Sequence, residues 1–513
     1  MEKNKEDVIE DTTLINKINK KLTYYYDTDY PIKNFLLIVL VALLLRLTVA
    51  LGNYSGFGKS PLYGDFEAQR HWLEITLNLK PKTWYFYDLQ YWGLDYPPVT
   101  GYHSLLLAKI GNYINPSWFE LVTSRGNEDK NLKIFMRLTV VFSEILTFVL
   151  PLFMFVLACM DIKAKKELQL KSLFTLSFIL FNPLLIIIDH GHFQYNCVML
   201  GFLIFSLYYI QQKDYIKCSV FFCLCVGFKQ MALYYSLPIF AYLLAKCLFP
   251  MNLIRLIKIG ATVIVTFGCL LYPLIYQEND WLDIIKQVFI RIFPLQRGLF
   301  EDKVANFWCS LNILIKLRNY FKVDELAKIS ALTTLITCLP SFYKLLRKPS
   351  MPRLLLTLTI HSFSFFLFSF QVHEKSILLP TLPLFLFLFV IKAYDIKKWN
   401  TTITNENVVL FTNVAMFSLY PLIKKDNLIS EYYGLILFFN TLFNNTSITN
   451  RYNLIYLPII IWHIAELFLL PPTKLPDIFT VLNQAYASVV FLGFWLILNV
   501  ISFYKPVTKS KKE

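Results

Sequence analysis

Fourteen stretches of this 513-residue chain are apolar for close to the length that crosses a bilayer, near 34–51, 134–158, 172–188, 197–211, 217–230, 231–249, 257–275, 327–346, 352–370, 376–392, 404–420, 429–444, 453–471 and 483–503. A spanning helix needs about 20 mostly apolar residues. In hydrocarbon every backbone N–H and C=O must be paired within the protein, so a chain with many such stretches folds as a bundle of helices. The expected fold class is therefore all-α and polytopic, with about fourteen transmembrane helices. Composition agrees: 56% of residues are hydrophobic and 17% charged, and the mean hydropathy is +0.48, beyond what a soluble domain carries.

The net charge of +15 would suggest nucleic acid in a soluble protein. Here the basic residues sort into alternate loops, as the positive-inside rule demands, and no nucleic-acid partner is expected. Cytosolic positions go to the amino-terminal tail, to loops holding Lys163, Lys165, Lys166 and Lys171, Lys213 and Lys217, Arg255 and Lys258, Lys344, Arg347, Lys348 and Arg353, and Lys392, Lys397 and Lys398, and to the tail with Lys505, Lys509, Lys511 and Lys512. Both termini are then cytosolic, and 99–111 lies across the membrane surface, because a crossing there would invert every later loop. The opposite side receives 52–133, 189–196, 276–326, 371–375, 421–428 and 472–482. The expected division is a tail at 1–33, a catalytic membrane module over 34–275 with its loop 52–133, a loop at 276–326, a second module over 327–503 and a tail at 504–513. Residues 1–33 carry no cleavable signal, so the first span reads as a retained anchor. The cysteines fall mostly inside spans and read as apolar packing.

Unusual residues concentrate on the non-cytosolic side at four places. Asp65 and Glu67 follow the first span, with Arg70 and Trp72 close behind and Asp95-Tyr96 further along. Asp189-His190-Gly191-His192-Phe193-Gln194-Tyr195-Asn196 ends the third span; Arg297 through Asp302 lie in the long central loop; Gln371-Val372-His373-Glu374-Lys375 joins spans nine and ten. Ionisable groups at the membrane boundary are costly unless paired or functional. His190 and His192, with Asp189, permit three readings: a metal chelate on an extended turn, a contact to a sugar or lipid phosphate with Gln194 and Asn196 donating hydrogen bonds, or a helix cap around Gly191. Asp65 permits a catalytic role, a pair with Arg70, or a cap on a following helix. Helices are expected at 65–78 and 99–111, clasping a cavity rimmed by Trp72, Trp84, Tyr85 and Trp92. No nucleotide-binding fingerprint is present, which steers any sugar transfer toward a membrane-borne donor.

Tyr63-Gly64-Asp65-Phe66-Glu67-Ala68-Gln69-Arg70-His71-Trp72, Leu94-Asp95-Tyr96-Pro97-Pro98, the Asp189–Asn196 segment and Val372-His373-Glu374-Lys375 together resemble the ER dolichyl-phosphate-glucose glucosyltransferases of the GT-C superfamily, over almost all of 30–505. The form of the first motif, and Phe370-Gln371 before Val372, are more similar to the enzyme that adds the first glucose than to its sister that adds the second. The resemblance implies inverting transfer of glucose from dolichyl-phosphate glucose to Man9GlcNAc2-PP-dolichol in an α-1,3 linkage, at the lumenal face of the endoplasmic reticulum membrane, by a monomer.

On this resemblance Asp65 matches the catalytic aspartate that takes the acceptor proton. His373, with Lys375 and Arg297 as helpers, faces the donor phosphate. Glu67, Arg70, Trp72, Asp95, Tyr96, His190, His192, Gln194, Asn196 and Asp302 are supporting or substrate-binding. No metal or other cofactor is expected, since cationic side chains serve the phosphate and no nucleotide diphosphate departs. The alternative from another class is a polyprenyl-phosphate transporter, but a transporter opens to both sides, whereas the unusual residues here crowd onto one. The sequons at Asn400, Asn444 and Asn445 should stay unglycosylated in this topology, and Lys509 and Lys511 read either as a dilysine retrieval signal or as positive-inside charge.

Overall fold

The computed structural model describes residues 31–159, 176–293, 303–394, 396, 399, 401–443 and 449–504. Arg297, Asp302, Asn400, Asn444, Asn445, Lys163, Lys165, Lys166, Lys171, Lys397, Lys398 and the tail lysines from Lys505 onward lie outside the described residues.

Within them the chain is helical: α1 (Pro31–Ala50), α2 (Asp65–Asn78), α3 (Pro98–Ile114), α4 (Lys130–Cys159), α5 (Leu176–Phe193), α6 (Asn196–Gln211), α7 (Tyr215–Phe228), α8 (Gln230–Leu248), α9 (Leu253–Ile275), α10 (Trp281–Ile292), α11 (Phe307–Leu314), α12 (Val323–Arg347), α13 (Met351–Phe368), α14 (Glu374–Ala393), α15 (Asn405–Lys425), α16 (Ile429–Phe443), α17 (Thr449–Phe468) and α18 (Ile478–Ser502). Each apolar stretch read from the sequence coincides with one of them. Ten of the described helices are long and apolar enough to cross a membrane, and α6, α7 and α17 carry shorter apolar runs. The count of fourteen full-length spans is thus not reached among the described residues. α6 has 16 residues, which at the helical rise gives roughly 24 Å, short of a hydrocarbon core of about 30 Å.

Burial grades across the bundle. α5, α13 and α14 are enclosed on nearly all sides, while α9 presents almost its whole apolar surface outward, as a helix facing lipid would. One continuous apolar core runs from Phe35 in α1 to Ile501 in α18. A second, smaller core lies beneath the loop between α1 and α4, where Trp72, Ile75, Trp84, Tyr85 and Leu94 meet Leu274 of α9 and Ile284, Val288 and Ile292 of α10.

That second core corrects one expectation. Trp72, Trp84 and Tyr85 do not rim a cavity; they are 4%, 1% and 1% exposed because the loop folds back and buries its own aromatic face. α2 and α3 do form where expected, and they pack against each other. Arg70, fully buried on α2, donates to Glu67 and to Glu74 at 2.6–2.7 Å and to Ser124 Oγ at 2.7 Å. The two carboxylates also accept from the backbone N–H groups of Gly126 and Val122. This network clamps the loop around 118–126 onto α2. Burial alone would raise the Glu74 carboxyl, but His71 and Arg70 hold it at about 2.

Candidate active site

Asp65 is the first residue of α2, and its position is fixed through the backbone before any side chain acts. Gly64 precedes it in an extended conformation, and a Cβ there would stand 2.5 Å from Ser55 Oγ, so only glycine permits this approach. Ser55 Oγ accepts from the Asp65 N–H at 3.2 Å, while the Ser55 N–H donates to the His192 carbonyl at 3.0 Å. One serine thus ties the start of α2 to the end of α5.

Three donors converge on a single oxygen of Asp65. Lys375 Nζ lies 2.6 Å from Oδ2, Gln194 Nε2 2.5 Å and His192 Nε2 3.0 Å. Oδ1 takes no hydrogen bond from the described residues, and a quarter of the side chain remains exposed. Burial by itself would raise this carboxyl, yet the charges of Lys375 and His192 overcome it and hold the group well below the usual carboxylate range. Asp65 is therefore a carboxylate anchored at one oxygen and open at the other. A group so placed can accept a proton from a hydroxyl brought to Oδ1.

His192 is itself held from behind, its Nδ1 lying 2.5 Å from Asp426 Oδ2 at the end of α15. Gln194 is gripped through its other end, where Oε1 accepts from Lys229 Nζ at 3.1 Å. Lys229 also donates to Asn196 Oδ1 at 2.8 Å, and Asn196 Nδ2 donates to Asp189 Oδ1 at 2.8 Å. A polar chain thus runs from Asp189 through Asn196, Lys229 and Gln194 to Asp65. The Lys229 ammonium stands 4.8 Å over the Tyr96 ring, and that ring packs against Trp72 at 4.8 Å. Asp95-Tyr96 and Trp72 are joined to the site in this way.

The Asp189–Asn196 segment separates its own polar residues. Ile186–Phe193 winds as a π-helix, and residues two apart on a helix point roughly half a turn away from each other. His190 therefore turns back to Glu144 Oε2 at 2.7 Å, where Glu144 is also held bidentately by Arg46 at 2.6 and 2.7 Å, while His192 faces Asp65. Asp189 accepts instead from Asn196 and from the Cys197 N–H. The chelate reading of His190, His192 and Asp189 fails on this geometry, because the three point to different partners. The Arg46–Glu144–His190 cluster ties α1, α4 and α5 together in the interior.

Of the other expected residues, Arg70 pairs with Glu67 and Glu74 and not with Asp65, which removes the Arg70 pair as an alternative for that aspartate, while its place in the first turn of α2 keeps the helix-end role alongside the one at the site. Glu67 accepts from Tyr91 at 2.8 Å and belongs to the loop clamp. Gln194 and Asn196 spend their amides on the polar chain. His373 precedes the turn Glu374–Ile377, half exposed, with Nδ1 3.7 Å from Glu374.

Two members of the site, Lys229 and Asp426, and one member of the interior cluster, Glu144, escape sequence reasoning. Lys229 lies between α7 and α8, and a lone lysine at the junction of two apolar runs, on the side the charge pattern assigns as non-cytosolic, is not a residue the charge rule picks out. Glu144 is a single acid inside an apolar stretch, which is itself a functional or structural flag. Asp426 belongs to a short loop after Lys424 and Lys425, where one acid beside lysines gives no signal of its own.

The site's four segments each carry a residue forced into the left-handed region: Tyr63 at φ 59°, Phe193 at 93°, Gln371 at 56° and Asn427 at 57°. Asn tolerates this; for Tyr, Phe and Gln it is costly, and such residues persist where surrounding structure over-determines them, often at functional sites.

The profile of the ALG6, ALG8 glycosyltransferase family matches residues 39–498. A probable dolichyl pyrophosphate Man9GlcNAc2 alpha-1,3-glucosyltransferase of Schizosaccharomyces pombe is 41% identical over 489 residues, which cover 93% of this chain and 94% of that one. The dolichyl pyrophosphate Man9GlcNAc2 alpha-1,3-glucosyltransferase of Saccharomyces cerevisiae is 41% identical over 549 residues, with 98% of each chain covered. Among solved structures, ArnT from Cupriavidus metallidurans bound to undecaprenyl phosphate aligns with a TM-score of 0.43 at 12% identity, over 91% of this chain and 77% of that chain. With its profile matched from α1 to α18 and its motifs gathered around Asp65, this chain belongs to the ALG6, ALG8 glycosyltransferase family.

Proposed function

We propose that this glycosyltransferase moves glucose from dolichyl-phosphate glucose to Man9GlcNAc2-PP-dolichol with inversion, forming an α-1,3 linkage, at the lumenal face of the endoplasmic reticulum membrane, with both termini cytosolic and the monomer as the active unit. The observation that carries the reading is the asymmetric carboxylate of Asp65, immobilised at Oδ2 by Lys375, Gln194 and His192 and open at Oδ1. An inverting transfer needs one base on the acceptor hydroxyl, and a phosphate leaving group needs little acid assistance. The acceptor O–H bond breaks with its proton going to Asp65 Oδ1. The acceptor oxygen bonds the anomeric carbon, and the phosphate leaves with the electron pair of the old bond.

Lys375 and His373 supply the positive charge for that phosphate, in a setting where solvent screening is weak; Arg297 keeps its expected part as a helper. The names of the relatives support the nine-mannose lipid as acceptor. No metal is required by this scheme, because the charge on the leaving phosphate is met by side chains.

The test is transfer by purified protein from synthetic dolichyl-phosphate glucose, comparing the nine-mannose lipid with the same lipid already carrying one glucose. Preference for the first is expected. Preference for the second would move the chain to the sister reaction, and translocation of donor without a new glycosidic bond would favour the transporter.

A further inference from the structure

The catalytic aspartate is not held by the first half of the chain alone. Asp426 caps the carboxyl end of α15 and is 4% exposed. Its Oδ2 lies 2.5 Å from His192 Nδ1, and the opposite ring nitrogen of His192 lies 3.0 Å from Asp65 Oδ2. Two carboxylates therefore face one buried imidazole along its two N–H directions. Only the imidazolium can donate to both.

We infer that Asp426 is a positioning residue which, acting through His192, fixes the orientation and basicity of Asp65. The inference rests on the reading of Asp65 as the base. The charged groups around His192 are Asp65 from α2, Lys375 from α14 with Nζ 3.2 Å from Nε2, Asp426 from α15, and Arg137 from α4, which donates to the neighbouring Gly191 carbonyl at 2.7 Å. The acidic pair Asp65 and Asp426 balances the basic pair Lys375 and His192. Removing Asp426 leaves His192 with one carboxylate, so Nδ1 loses its anchor and the ring lends less positive charge to Asp65 Oδ2. The Asp65 carboxylate then becomes easier to protonate, and its free Oδ1 loses a fixed direction. Backbone placement agrees: Asn427, adjacent to Asp426, is held at φ 57° and Phe193, adjacent to His192, at φ 93°, so both partners are set at the very ends of their helices, next to sharp local turns.

The experiment measures kcat/KM for the acceptor against pH with purified Asp426→Asn, Asp426→Glu and the unaltered enzyme, together with donor KM and thermal unfolding. For Asp426→Asn the expected result is a fall of about tenfold in kcat, an acid limb displaced upward by about one pH unit, and a donor KM within about twofold of the parent. Asp426→Glu should return the limb to its original place. Equal losses in both variants with an unmoved acid limb would overturn the inference, since a purely structural acid lowers the active fraction without shifting a titration. Asp65→Asn run in parallel separates the two readings: turnover by that variant removes the base assignment, whereas an inactive Asp65→Asn beside an unshifted Asp426→Asn limb removes only the positioning role of Asp426.

Discussion

Lys375 Nζ and Asp65 Oδ2 stand 2.6 Å apart across 310 residues of chain. This lysine neutralises the aspartate, and in the proposed reaction His373, two residues before it, brings the same short segment to the donor phosphate. On that proposal Lys375 is shared between the base and the leaving group. Lys375→Met should raise donor KM and lower kcat by about 10²-fold or more, in line with loss of a charge contact to a developing phosphate. It should also destabilise the fold by about 1–2 kcal/mol, below the ~3–5 kcal/mol of a fully buried broken pair because this one is partly exposed. Combining it with Asp65→Asn should recover part of that stability, as coupled partners do. Additive losses in thermal unfolding would show that the pair is not coupled.

Asp65→Asn keeps the shape and the hydrogen bond to Ser55 but leaves no base at Oδ1. Transfer is expected to fall by about 10²–10⁴-fold while detergent-purified protein keeps its unfolding temperature within a few degrees. Single-turnover measurements with both lipids supplied decide this, and near-parental rates would end the base assignment.

Arg70 stands at the centre of the loop clamp with no exposed surface. Arg70→Met leaves Glu67 and Glu74 buried without their cation, at a cost of about 3–5 kcal/mol. Arg70→Lys should rescue little, since a lysine cannot reproduce the forked donor set that serves Glu67, Glu74 and Ser124 at once. Limited proteolysis between Phe119 and Asn127 should accelerate in both variants, and unchanged cleavage would argue against the clamp.

Acid should loosen the same loop in a narrow window. The folded Glu74 carboxyl lies at about 2, below its ordinary value of about 4.3, so its stabilising contribution is complete above that ordinary value and is lost as pH falls toward 2. Asp65, lowered in the same direction, contributes with the same sign. Unfolding temperature should therefore be flat for these groups from about pH 7 to about 5 and drop steeply below about 4. In Glu74→Gln the acid drop should be shallower, which pH-dependent thermal melts would reveal.

The helices were legible in the sequence because hydrocarbon length and helical hydrogen bonding leave few alternatives, and α2 and α3 were placed nearly to the residue by the break between polar and apolar runs. The segments holding Asp65, His192, Gln194 and Lys375 were equally visible as polar residues in loops that the charge pattern assigns to one side. Their pairing was not. Nothing in local sequence shows that His190 turns inward to Glu144 while His192, two residues on, turns to Asp65; that follows from a π-helical winding whose cause is tertiary packing. Trp84 and Tyr85 misled for a related reason, since aromatic side chains serve a membrane rim and a small core with the same composition. Lys229 and Asp426 were hidden by their smallness as signals, single charges at the ends of long apolar runs, whose meaning appears only when the ends of those runs meet.

The long reach of the site, from Asp65 near the beginning of the chain to Asp426 well past its middle, also governs when the enzyme comes into existence. At a synthesis rate of roughly 5–20 residues per second, tens of seconds pass between the emergence of Asp65 and that of Asp426. For most of that interval the nascent chain carries Asp65 but neither Lys375, which follows it by 310 residues, nor the acid behind His192, so its carboxylate stands without the cation that balances it. Competence arrives late and abruptly with the insertion of α14 and α15. A chain released early would lodge in the membrane with its first loop formed and no catalytic centre, an inert product rather than an unregulated one.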